Sequence, residues 1–131
     1  MIEFVFVSPV PALFPSKRMT RLGQVLSRAL HIKKPSSIGV RFVSLKEMQG
    51  LNRNYRKKNT PTDVLAFDPD SIAICAEYAK KEAKRRGIPV EEELLRLLIH
   101  GVLHLFGWDH ATEKEEEKMF ALQEKIVYEV T

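Results

Sequence analysis

The sequence predicts a single α+β domain over residues 1–131: a small, mostly four-stranded mixed sheet with helices packed on it, one of them central and buried. Three observations predict it. Short runs rich in β-formers occur between turn residues, several segments repeat apolar residues at helical spacing, and one helical stretch is apolar on nearly every side. A length of 131 residues suits one hydrophobic core.

Taken in order, "IEFVFV" (2–7) reads as a strand ended by turns at Pro9 and Pro11. From Ser16 to Leu30 the apolar residues Met19, Leu22, Val25, Leu26, Ala29 and Leu30 mark a helix, with Ser16 as its N-cap. "SSIGVRFVS" is a second strand, and "LKEMQGLNRNYR" a helix with Leu45, Met48 and Leu51 inward, its interior loosened by Gly50. A loop, "KKNTPT", leads to two short strands, "DVLAF" and "SIAIC", around the turn Asp68-Pro69-Asp70. "AEYAKKEAKRRG" is an amphipathic helix closed by Gly87. Pro89 opens the next helix, where Glu91, Glu92 and Glu93 face the positive end of the helix dipole. That helix runs on through "LLRLLIHGVLHLF" and is the predicted central one. Thr112 and Glu115 form a capping box for a last helix with Met119, Phe120, Leu122, Ile126 and Val127 inward.

Composition narrows the function. No apolar run approaches the roughly 20 residues that span a bilayer, and Glu3, with no basic region before it, argues against reading the N-terminus as a signal peptide. No membrane partner is expected. The single cysteine, Cys75, excludes an internal disulfide, reads as a small buried hydrophobe and suits a reducing cytoplasm. Charge is unevenly spread: residues 1–60 hold twelve Lys or Arg against two acids, whereas residues 61–131 hold nine against fifteen. A basic half of this kind can meet a polyanion, although a merely solvated basic surface gives the same count.

Three of the four histidines fall in "HGVLHLFGWDH" (100–110). On a helix His100 and His104 project from one face, the spacing by which two imidazoles reach one metal ion. Gly107 can end the helix in a left-handed turn and return His110 to the same point. Three imidazoles with an open fourth position describe a catalytic zinc site, and nickel is also compatible with such ligands. Asp109 sits where it can orient a ligand or a water. His100, His104, Gly107 and His110 also match the metzincin protease pattern H-E-x-x-H-x-x-G-x-x-H, but Gly101 stands where that pattern needs its glutamate base. The protease reading therefore fails, and the glycine is expected to leave room for something bulky near the metal.

The second informative stretch is "NRNYRKKNTPTDVLAF" (52–67), where Arg53, Arg56, Lys57 and Lys58 form a compact basic cluster ahead of Asp63. Beside a metal site such a cluster suits a phosphate-bearing substrate, with arginine neutralising charge on the phosphate oxygens. Tyr55 and Trp108 read as packing residues, and His31 as a helix end without a function.

Together, H-G-x-L-H-L-x-G-x-D-H and N-x-x-Y-R followed by P-T-D-V-L-x-F resemble the YbeY family of bacterial endoribonucleases. The resemblance covers roughly residues 38–128; the N-terminal third carries no diagnostic residue. It implies one divalent metal ion per chain on His100, His104 and His110, and places the family's functionally important arginine at Arg56. It also implies single-strand-specific RNA cleavage, maturation of ribosomal RNA including the 3′ end of the small-subunit RNA, a part in ribosome quality control, and small-subunit proteins as partners. The general base is left open between activated water, Asp63 and Asp109. Two other functions fit the residues: a ribosome assembly factor with a structural metal, and a metal-dependent hydrolase of a smaller substrate. The chain departs from the family in a short connection, "DPDS", after "VLAF", in Ala66, where serine is common, and in Asp68, where proline is common. The shortened turn is expected to alter one wall of the substrate groove.

Overall fold

The computed structural model describes residues 1–7, 14–56, 62–67 and 69–131, with the backbone alone of Arg56. The turns expected at Pro9 and Pro11, Lys57 and Lys58, and Asp68 lie outside the described residues. Among the described residues nine elements follow in chain order: β1 (Ile2–Phe6), α1 (Ser16–Ala29), β2 (Ser36–Val43), α2 (Leu45–Arg56), β3 (Val64–Phe67), β4 (Ser71–Cys75), α3 (Ala76–Arg86), α4 (Val90–Leu105) and α5 (Glu113–Val130). The strands make one sheet in the order β1-β2-β4-β3. β1 and β4 both run parallel to β2, and β3 returns antiparallel to β4 with Val64 opposite Ile74 and Phe67 opposite Ser71. The sheet is therefore mixed and four-stranded, as the sequence predicts.

Period-two alternation sorts the side chains of β4 between two cores. Ile72 and Ile74 join the larger core, with Leu22 and Leu26 of α1, Leu94, Leu98 and Val102 of α4, and Met119 and Ile126 of α5. Ala73 and Cys75 face the other way, onto Leu65 and the fully buried Met48 of α2. Cys75 is thus the small hydrophobe expected of it. No helix among the described residues is long and apolar enough to cross a membrane.

Helix α4 is buried almost all round, from Glu93 to Ile99 and again from Gly101 to Leu103. It begins after Pro89, whose extended backbone (φ −61°, ψ 143°) serves as N-cap. Helix α3 ends at Gly87 in the left-handed region, φ +69°. Thr112 caps α5: its Oγ1 accepts from the Glu115 N–H at 3.1 Å and donates to the Glu115 carboxylate at 3.1 Å.

Four expectations change. Ser16 is not an N-cap but the first helical residue; Pro15, extended and without an N–H, precedes it, and its carbonyl accepts from Arg18 and Met19. Glu93 does more than face the helix dipole, because it is 4% exposed and paired with Arg86 and Arg96. In α5 the buried stripe is Met119, Gln123, Ile126, Val127 and Val130, and Phe120 stands on its rim, 39% exposed. Tyr55 is 67% exposed, although its ring meets Phe67 edge-on at 4.7 Å.

Candidate metal centre

Glycine sets the geometry at both ends of the histidine segment. A Cβ on Gly101 would lie 3.1 Å from two atoms of Ile72 and 3.3 Å from Val64. The missing side chain therefore lets α4 settle against β3 and β4; the space expected there for a bulky group is filled by the sheet. Gly107 takes φ +93°, and the Gly107 and Trp108 N–H groups close the helix end onto the carbonyls of His104 and Leu103. That reversal carries Asp109 and His110 back toward α4.

The three histidines meet as predicted. One ligand atom from each of His100, His104 and His110 lies within 4.8 Å of the others, and no carboxylate joins them among the described residues. The rings of His100 and His104 cross at a centroid distance of 4.7 Å, and the exposed His110 ring lies 5.6 and 5.1 Å from them. His100 Nε2 and His104 Nε2 are 3.2 Å apart. A tetrahedral zinc with Zn–N of about 2.0–2.1 Å separates its nitrogen ligands by roughly 3.3–3.4 Å, close to the spacing of this pair. Burial holds His100 below the ordinary imidazole pKa; its contact with Gln123 and the negative charge of Asp63 oppose that, and His110 adds to it slightly. The neutral ring is the ligating form.

A cleft of about 520 Å³ opens over the histidines, walled by residues 62–66, Gly101, Leu105 and Asp109. Asp63 is half-buried at its edge, and its Oδ1 accepts from the Val64 N–H at 2.8 Å and the Thr62 hydroxyl at 3.4 Å. Asp109 is exposed, and its Oδ1 accepts from the His110 N–H at 2.7 Å. Ala66 belongs to the wall, so the departure noted in the sequence falls on the cleft itself. Arg53 is exposed on α2, on the sheet face opposite α4, and is not among the lining residues described. The Arg56 side chain, Lys57 and Lys58 lie outside the described residues.

One contact at this centre escaped the sequence reading. Gln123 of α5 is 5% exposed, and its Oε1 is 2.7 Å from His100 Nδ1. A polar residue in a buried helical stripe was the available signal.

The family model described as Endoribonuclease YbeY matches residues 14–131. The chain belongs to the YbeY family. The match starts at residue 14, so membership extends well into the N-terminal third that shows no diagnostic residue by eye. An Endoribonuclease YbeY of Staphylococcus aureus is 35% identical over 129 residues, covering 85% of this chain and 83% of that protein. One from Persephonella marina is 46% identical over 89 residues, 58% of each chain. The solution structure of TM1509 from Thermotoga maritima superposes with a TM-score of 0.66 at 32% identity, over 99% of this chain and 89% of that one.

Proposed function

We propose that residues 1–131 form a single-domain, single-strand-specific endoribonuclease that requires a divalent metal, zinc foremost. It acts in ribosomal RNA processing, including 3′-end maturation of the small-subunit RNA, and in ribosome quality control, in the cytoplasm and alongside small-subunit proteins. The observation that carries the reading is the convergence of three imidazoles at the floor of an open cleft in a chain of the YbeY family. The absent glutamate at Gly101 separates it from the metzincin proteases, because a Cβ there would point into Ile72 and Val64.

His100, His104 and His110 are the proposed ligands. When bound, the ion supplies Lewis acidity toward a phosphate oxygen and a water. The other roles belong to the chain. Asp63 is our candidate for the proton acceptor, since it borders the cleft and its charge is felt at His100. Asp109 is the weaker candidate, its carboxylate being engaged in capping the His110 turn. Arg56 is assigned to charge neutralisation at the phosphate, and Arg53, Lys57 and Lys58 to attraction of the RNA backbone. A structural metal, as in an assembly factor, would want a fourth protein ligand; the described residues offer three.

The test is cleavage of an end-labelled single-stranded RNA by the protein and by His104→Ala purified in parallel. Cutting by the wild type alone supports the reading. Equal cutting by both points to a contaminating nuclease, and no cutting by either favours the assembly-factor alternative. Product ends separate attack by water, which leaves phosphate and hydroxyl, from attack by the 2′-hydroxyl, which leaves a cyclic phosphate.

A further inference from the structure

We infer that Gln123 is a positioning residue: its carboxamide fixes which nitrogen of His100 faces the metal, and the Arg96 ion cluster fixes the carboxamide. The inference rests on the metal reading above and deepens it.

The argument starts with the amide. A glutamine can present oxygen or nitrogen to a neighbour, and the neighbours decide which. Gln123 Nε2 lies 3.2 Å from Glu124 Oε2, a carboxylate that only accepts hydrogen bonds. The NH₂ must therefore point to Glu124, which leaves Oε1 toward His100 Nδ1 at 2.7 Å. An amide oxygen has no proton to give, so Nδ1 carries the hydrogen. The lone pair of His100 is then on Nε2, the atom that faces His104 Nε2 at 3.2 Å. A hydrogen bond to the distal nitrogen is how metal-binding histidines are generally oriented.

What holds Glu124 is the second part. Arg96 grips it through two bonds of 2.8 Å, from Nε and Nη2, across 28 residues of sequence. The same guanidinium donates to Glu93 at 3.0 Å and to Glu92 at 3.3 Å, and Arg86 reaches Glu93 at 3.3 Å. The cluster ties α3 and α4 to α5, the helix that carries Gln123. A planar bidentate pair has little freedom to turn, so the orientation of Glu124 and, through it, of the amide is set by the fold before any ligand arrives.

Two variants separate positioning from packing. Gln123→Met keeps the length and removes the acceptor; Glu124→Met keeps Gln123 and removes the carboxylate that orients its amide. Long-range ¹H–¹⁵N spectra of the metal-free protein report which His100 nitrogen is protonated, and chelator competition reports zinc affinity. The wild type should show His100 protonated at Nδ1 alone. Gln123→Met should show a mixture of tautomers and a zinc affinity lower by roughly 10- to 100-fold. Glu124→Met should shift both readouts in the same direction. A Gln123→Met protein with an unchanged tautomer overturns the inference, as does one with unchanged zinc affinity. Should the wild type bind no zinc, the metal reading fails by itself, and the tautomer spectra still decide what Gln123 does. Should Gln123→Met not fold, Glu124→Met and the wild type carry the test: a His100 protonated at Nε2 in the wild type, or a tautomer unchanged in Glu124→Met, refutes it.

Discussion

Gly101→Ala tests how α4 is seated on the sheet. The new Cβ would stand 3.1 Å from Cδ1 and Cγ2 of Ile72 and 3.3 Å from Cγ2 of Val64. Each neighbour would have to yield by a few tenths of an ångström. Neither is free to do so, for Ile72 is 2% exposed, Val64 is 8% exposed, and both are β-branched and stiff at χ1. Overpacking a filled core costs about 1–3 kcal/mol. Replacing glycine inside a helix returns about 1 kcal/mol. The net is a loss of about 1 kcal/mol, or roughly 4 °C in Tm for a domain of this size. Gly50→Ala is the matched control. Gly50 is also inside a helix, but its added Cβ would meet nothing closer than Arg53 Nη2 at 4.0 Å. It should gain stability, by up to about 1 kcal/mol. Urea denaturation of the three proteins measures both. A Gly101→Ala midpoint equal to or above that of the wild type would refute the packing argument and return Gly101 to a role in the cleft.

Other outcomes follow from the same contacts. Zinc at a hundredfold excess over its Kd should raise unfolding free energy by about 2.7 kcal/mol, and His104→Ala should abolish the increase in a thermal melt. Arg96→Leu leaves the buried Glu93 with Arg86 alone and should cost about 3–5 kcal/mol by denaturant titration; a loss below 1 kcal/mol would mean that the cluster is not coupled to folding. The hydrogen bonds from Arg96 hold the Glu124 carboxyl below the ordinary glutamate pKa. A depressed folded pKa adds stability above the unfolded value, near 4.3, that is lost as pH falls through the folded one. The wild type should therefore exceed Glu124→Gln in stability at pH 7, and the difference should shrink below about pH 4.3; a difference constant with pH would count against the ion pair. Thr112→Ala should lower stability by about 1 kcal/mol through the lost cap of α5, read from the urea midpoint.

Much of this protein is written in neighbouring residues. Alternation in "SIAIC", the near-continuous apolar run of α4, Gly87 as a helix end and Thr112 as a cap are local patterns, and local backbone physics reads them directly. The histidine triad belongs here too, because helical spacing stacks His100 on His104 and Gly107 turns His110 back. Docking between elements decided the rest. The sheet order places β4 between β2 and β3, which no local pattern states. Gly101 looked like space beside the metal, yet Ile72 and Val64 fill it, since only the approach of α4 to the sheet determines what a missing side chain faces. Gln123 and Arg96 found their partners only when α4 and α5 met. Hydrogen bonding inside a turn of helix depends on residues a few positions apart, whereas the satisfaction of a buried polar group depends on which distant element arrives beside it.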